Sequence, residues 1–253
     1  MTQGPVLENV LKRVKAGKAS HWVLLDPDDF SPKEGARIAA SAESAGVNAV
    51  LVGGSLMRSN NFDDFVHGVK ESVSLPVILF PGDATQLSRH ADAVLFLSLV
   101  SGRNPVNLIG EQVKGAPVIK EFGIEPISTA YMLVESGAVS SVEFMSNTRP
   151  LPRKKPMIAA AHALAAQYMG MQMVYLEAGS GAPCSVPPNM VKAVGDYVDI
   201  PVIVGGGIRD AATAREKLQA GANVIVTGNL LLAPDGVSKL EEIARAVTGE
   251  TSR

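Results

Sequence analysis

Short runs of aliphatic and β-branched residues recur along the chain, most of them closing on Gly, Asp or Ser: HWVLLDP, NAVLVGGS, LPVILFPG, DAVLFLSLVSG, TAYMLVES, MQMVYLEAGSG, IPVIVGGGI and ANVIVTGN. Inside each run the apolar residues are nearly continuous instead of alternating with polar ones. That is the pattern of parallel strands covered on both faces. Between most runs lie helical patterns with start signals, such as SPKEGARIAASAESAGV with Ser31 as N-cap and Pro32 in the first turn, VPPNMVKAVGDYV, and IRDAATAREKLQAGA closing at Gly221. Eight strand–helix units in about 230 residues predict an α/β fold of (β/α)8 TIM-barrel type. A doubly wound sheet would usually have fewer strands and a G-x-G-x-x-G turn after the first. The expected organisation is one TIM-barrel domain over residues 1–253.

Two places break the repeat. Only DATQLSRHA separates the third run from the fourth, too short for a full crossover helix, so the barrel is expected to be modified, with a degenerate third helix. Between Ser136 and Ile158 the chain inserts a strand-like piece, SVEFMS, and then the basic, proline-rich NTRPLPRKKP. Long loops in compact domains usually serve function, and this one is a candidate lid on the active face.

Composition narrows the classes. A net charge of −2 provides no global basic field, so nucleic acid is not an expected partner. The one cysteine, Cys184, excludes an intrachain disulfide, and no Cys/His spacing matches a structural zinc site. No apolar run has signal-peptide or membrane-spanning form, so a cytoplasmic location is expected.

In a barrel, chemistry sits at the C-terminal ends of the strands. Glycines follow strands six, seven and eight, in AGSG, GGGIRD and TGN, where backbone N–H groups can converge without a Cβ in the way. Helices starting just beyond the last two would point their positive ends into the same space, which makes a phosphate cradle. Each glycine taken alone reads equally well as a tight turn. LLDPDDF brings three carboxylates to the end of the first strand. Asp28 and Asp29 read as turn-capping or solvated, whereas Asp26 at the strand's own end faces the pocket, as a lone carboxylate does where it holds Mg²⁺ beside a diphosphate. Ser55, closing the second strand, either caps the next helix or shares that ion.

LLDPDD, VGGS, YLEAGSGAP, GGGIRD and TGN, in this order and across nearly the whole chain, resemble the geranylgeranylglyceryl phosphate synthase family, whose bacterial relatives make heptaprenylglyceryl phosphate. The resemblance implies a Mg²⁺-dependent prenyltransferase on a modified barrel that has lost its third helix. It would join the 3-hydroxyl of sn-glycerol 1-phosphate to an all-trans prenyl diphosphate, the first ether bond of archaeal membrane lipids. By the same resemblance, glycerol phosphate is bound by Tyr175, Leu176, Glu177, Ala178, Gly179, Ser180 and Gly181, by Gly206 and Gly207, and by Gly228 and Asn229, and Mg²⁺ by Asp26 and Ser55. Leu24 stands where the bacterial relatives commonly carry Lys, which favours geranylgeranyl diphosphate as co-substrate. A homo-oligomer and a transient membrane contact for product release complete the expected partners.

The expected catalytic residues are Asp26, through the metal, and Glu177, which holds the glycerol hydroxyls and accepts a proton late in the reaction. Two other readings compete. A sugar-phosphate isomerase or lyase would share the GGGI and TGN cradle but would need a facing acid–base pair and no apolar groove. A non-catalytic phosphate-binding barrel would have no use for Asp26 and Glu177 at strand ends.

Overall fold

The computed structural model describes residues 4–233 and 235–249. Eight parallel strands close into a barrel in sequence order: β1 (Ser20–Leu25), β2 (Ala49–Val52), β3 (Val77–Leu79), β4 (Ala93–Leu99), β5 (Glu125–Leu133), β6 (Met173–Glu177), β7 (Val202–Gly205) and β8 (Val224–Thr227). Around them run α1 (Pro5–Lys15), α2 (Pro32–Ser44), α3 (Phe62–Ser72), α4 (Glu111–Phe122), α5 (Ser141–Ser146), α6 (Pro156–Tyr168), α7 (Pro188–Gly195), α8 (Ala211–Gln219) and α9 (Gly236–Thr248). All eight runs read as strands are strands. Ser31 caps α2 in a capping box, its side chain accepting from the Glu34 N–H while Glu34 accepts from the Ser31 N–H.

Because successive side chains of a strand point to opposite faces, each strand feeds two cores. Trp22, Leu51, Ile78, Leu95, Ile127 and Ile203 fill the barrel interior, while Val23, Val50, Val52, Val94 and Val204 pack outward under the helices. This double burial is why the strands lack polar alternation. Helix α1 plugs the lower end with Val6, Leu7 and Val10, and the Glu125 carboxylate accepts the N–H groups of Val6 (2.8 Å) and Leu7 (3.0 Å) that the helix itself cannot satisfy.

No helix follows β3, as expected. The stretch from Phe80 to Asp92 is anchored instead by the buried Gln86 amide, which donates to the Gly54 carbonyl (2.8 Å) and accepts from the N–H groups of Gly54 and Gly82 (3.2 Å each). The side chain thereby sets the loop that carries Ser55. The piece SVEFMS is not strand-like but the short helix α5: Ser140 accepts from the Glu143 N–H, an S-x-x-E start signal. Among the described residues no helix is long and apolar enough to cross a membrane.

Candidate active site

The C-terminal ends of the strands surround a cavity of about 610 Å³. Asp26, one residue beyond β1, lies on its wall with Asp29 and Ser55. Burial raises the Asp26 pKa above the usual carboxylate range, against the pull of the Asp28 N–H, which donates to its Oδ1 at 3.0 Å; the Asp29 and Asp28 charges add to the rise and Arg58 opposes it. Gly54 makes room for this carboxylate, since a Cβ there would stand 2.4 Å from Asp26 Oδ2. Asp28 serves structure: it accepts from the N–H groups of Arg58 (2.8 Å) and Ser59 (2.9 Å) and pairs with the Arg58 guanidinium, fixing the loop after β2.

Alternation along β6 turns Tyr175 and Glu177 inward, and both line the cavity. It turns Leu176 and Ala178 the other way, into the apolar layer beneath the helices, so of the stretch expected to bind glycerol phosphate these two side chains lie off the cavity. Gly179 is likewise off the cavity wall, and its N–H donates to Glu177 Oε1 at 2.6 Å, which orients the carboxylate. Ser180 and Gly181 line the cavity, as do Gly206, Gly207 and Gly228 from the next two strands. Asn229 opens a 3-10 turn, Asn229–Leu232, and its side chain lies outside the described part of the residue. Helix α8 differs from expectation in another way: Asp210 caps it, accepting from the Thr213 N–H at 2.7 Å, so the glycines of the loop and not a bare helix end form this side of the cradle.

Glu177 is 6% exposed, and burial raises its pKa to about 7, partly offset by the Gly179 N–H, the Tyr175 hydroxyl and the Ala178 N–H. Near neutral pH such a group can take up or release a proton. The Tyr175 hydroxyl is buried beside the Glu177 carboxylate, near enough to stabilise its charge but out of line for a full hydrogen bond; burial, and then the Glu177 charge, hold its pKa well above the ordinary value. A buried hydroxyl left unpaired on a cavity wall is suited to a ligand oxygen. The sequence reading missed its surroundings: Phe80 stacks on Tyr175 with ring centroids 5.1 Å apart and planes at 13°, and Tyr131 packs against both. Phe80 stands at the end of β3 in LFPG, where its position was the available signal.

Away from the glycines the lining becomes largely apolar, with Asn104, Asn107, Glu111 and Gln112 within it on the α4 side. The cavity runs between the helixless stretch, with Ala84 and Leu87, and α4, with Gly115 and Ile119, and β4 contributes Phe96 and Leu97. Losing the third helix opens this groove. Helix α5 borders it through Val142 and Met145. The basic segment that follows α5 does not: Arg153, Lys154 and Lys155 are absent from the cavity wall, Arg149 lines a separate recess, and Arg153 donates to the Ser185 carbonyl at 2.7 Å.

The closeness of the cradle is testable. Gly206 (φ 80°) and Gly46 (φ 88°) both occupy the left-handed region, so alanine at either is strained by about 1–2 kcal/mol. A Cβ at Gly46 would meet nothing within 4 Å, but at Gly206 it would stand 2.3 Å from Glu177 Oε1 and 2.7 Å from the Gly179 nitrogen. Gly206→Ala is therefore expected to cost about 1–3 kcal/mol more than Gly46→Ala. Denaturant midpoints of the two variants measure the difference, and coincident midpoints would mean that the loops are not in contact.

The model of the PcrB family matches residues 12–247. The geranylgeranylglyceryl phosphate synthase of Pyrococcus abyssi is 47% identical over 249 residues, covering 96% of this chain and 98% of the relative. The Thermococcus kodakarensis protein of the same name is 49% identical over 234 residues, 90% of this chain and 92% of that one. Among solved structures, (S)-3-O-geranylgeranylglyceryl phosphate synthase from Thermoplasma acidophilum in complex with its substrate sn-glycerol-1-phosphate superposes with a TM-score of 0.92 at 38% identity, covering 98% of this chain and 100% of that one.

Proposed function

The chain belongs to the PcrB family, and on that premise we propose that it is a prenyltransferase joining the 3-hydroxyl of sn-glycerol 1-phosphate to geranylgeranyl diphosphate, releasing diphosphate. The observation that carries this reading is the continuity of one cavity: a glycine-lined polar head holding Glu177 and Asp26 runs into a largely apolar groove beside α4. A sugar-phosphate isomerase has a use for the head and none for the groove.

The phosphate of glycerol 1-phosphate rests against the backbone of Ser180–Gly181, Gly206–Gly207 and Gly228, where the absence of a Cβ at the glycines allows close approach. The Tyr175 hydroxyl and Glu177 orient the glycerol. Attack forms the ether bond from the glycerol oxygen to the allylic carbon while the C–O bond to diphosphate breaks, its electron pair leaving with the diphosphate. Oε1 of Glu177 is engaged by the Gly179 N–H, so Oε2 accepts the hydroxyl proton. An allylic electrophile with cation character needs orientation more than a strong base, which suits a carboxylate with a pKa of about 7.

The donors at the head fit Mg²⁺. Asp26 and the Ser55 hydroxyl would be hard oxygen ligands on one wall, and Asp26 is a carboxylate whose ionised form burial leaves under-stabilised. Among the described residues no group of three or more His, Cys, Asp or Glu side chains that could hold a metal occurs, so the rest of the shell would be diphosphate oxygens and water, as is usual for this ion. When bound, the ion neutralises diphosphate charge and makes it a better leaving group. Met157, Ile158 and Tyr168 stay exposed along α6, which supports a homo-oligomer.

Incubation with sn-glycerol 1-phosphate, Mg²⁺ and a ladder of prenyl diphosphates, with products weighed by mass spectrometry, tests the reading; absence of an ether product with every donor would sink it. The groove makes a further prediction. At Gly115 an added Cβ makes only ordinary contacts, with Leu87 Cδ1 at 3.6 Å and Ala84 Cβ at 3.8 Å. Gly115→Leu should therefore fold while filling the groove, shifting preference from geranylgeranyl to farnesyl or geranyl diphosphate by about tenfold or more in relative kcat/KM. An unchanged preference would take the tail away from α4.

A further inference from the structure

We propose that Arg209, from the cavity wall, and Arg153, from outside it, are positioning residues that clamp the carbonyls of the Gly181–Ser185 loop and so hold it in the form that receives glycerol phosphate; the ligand named here rests on the reading of function above. Arg209 follows the Gly206–Gly207 turn. Its guanidinium crosses to the loop after β6, Nη2 donating to the carbonyls of Ala182 (2.7 Å) and Gly181 (3.2 Å) and Nη1 to that of Pro183 (3.5 Å). Arg153 arrives from the basic segment after α5 and donates through Nη1 to the Ser185 carbonyl at 2.7 Å. Its own backbone N–H donates to Glu135 Oε2 at 3.3 Å, which fixes the base of the side chain. Among the described residues neither guanidinium forms an ion pair with a carboxylate, so the bonding of both is directed at this loop.

The geometry explains why cations are needed there. A peptide plane sends its N–H and C=O in opposite directions, so a loop that turns donors toward an anion turns acceptors away from it. Those acceptors must find partners, and Pro183 has no N–H to contribute to a turn that would satisfy them locally. The loop is also held in left-handed conformations, with φ of 103° at Gly179 and 68° at Gly181, so without outside contacts it has many alternatives. A guanidinium is planar, permanently charged and forked, and spans neighbouring carbonyls as an ammonium cannot. Arg209 thus makes the turn after β7 do two things, lining the cradle with its own glycines and gripping the loop opposite. The turns are already in contact, since a Cβ at Gly207 would stand 2.9 Å from the Ser185 nitrogen.

The test uses the full-length protein with Arg209→Met, Arg209→Lys and Arg153→Met. In Arg209→Met the dissociation constant for sn-glycerol 1-phosphate by calorimetry, and its KM, should rise about ten- to a hundredfold, the scale of a charge-assisted hydrogen bond. Turnover at saturation and the KM for the prenyl diphosphate should move less than about threefold. Arg153→Met, with one bond to lose, should show the same split with a smaller rise. Arg209→Lys should recover little of the lost affinity. Hydrogen exchange without ligand should quicken in the peptide covering 179–186 of Arg209→Met while the barrel strands keep their wild-type protection.

Exchange in that peptide equal to wild type, or unchanged glycerol phosphate affinity in Arg209→Met beside a binding wild type, overturns the proposal. So does full rescue by lysine, which would leave charge alone as the cause, or faster exchange throughout the barrel, which would make the role merely structural. A wild type that fails to bind sn-glycerol 1-phosphate overturns the functional reading instead, and the exchange comparison then decides the clamp alone.

Discussion

Glu177→Gln is expected to lower turnover by about 10²–10⁴-fold, the usual cost of losing a positioned general base, and toward the lower end because an allylic electrophile is already reactive. Affinity for glycerol phosphate should fall only modestly, since the backbone at Gly181, Gly206, Gly207 and Gly228 is untouched. Calorimetry beside kinetics separates the roles: retained affinity with collapsed turnover supports the base, while lost affinity with near-normal turnover at saturation leaves Glu177 a binding residue. In the wild type, kcat should rise with pH through about 7 as the buried carboxylate loses its proton, and this step should be missing from the residual activity of the variant.

The same shift has a sign for stability. The folded-state pKa of Glu177, about 7, lies above its ordinary value of 4.5, so between these pH values the native state binds more protons than the unfolded chain. The stability contributed by the neutral acid is complete below 4.5, declines as pH rises through the window, and is lost above about 7, at about 1.4 kcal/mol for each pH unit. Glu177→Gln should flatten that decline and be more stable than wild type at pH 8, measured by urea unfolding at both ends of the window. A variant that gains stability while losing turnover would identify the burial of this carboxylate as a cost borne for the reaction.

Asp26→Asn is expected to leave the fold intact and lower the rate by about 10²-fold or more, because a neutral amide is a poor replacement for a carboxylate on Mg²⁺. The Asp28 N–H donates to Asp26 Oδ1, and an asparagine carbonyl can keep that bond, so thermal stability should scarcely change. The apparent affinity for Mg²⁺ should weaken along with turnover. Near-normal turnover at saturating Mg²⁺ would remove Asp26 from the metal.

The sequence by itself determined the barrel. Eight strands are legible because they are buried on both faces, so their apolar runs are nearly continuous; the missing third helix is legible because DATQLSRHA is too short to cross. That Asp26, Tyr175, Glu177 and the glycines at 181, 206, 207 and 228 line one cavity was also legible, since a parallel barrel sends every strand's end to one side. Local signals were less secure where two patterns overlap: SVEFMS has the apolar content of a strand, and only the Ser140–Glu143 spacing marks it as a helix. What tertiary structure alone decided is which residues face the cavity and which donors are taken up by the protein itself. Gly179 gives its N–H to Glu177, Asp210 consumes the end of α8, Arg153 reaches Ser185 across 32 positions, and Arg209 reaches Ala182 across 27. Hydrogen bonds of this kind depend on side-chain direction and on loops that approach only after the barrel closes, and neither leaves a periodic trace in the chain. The pKa of Glu177 belongs with them, because a carboxylate's proton affinity is set by how completely its neighbours exclude water, a property of the closed barrel and of no single segment.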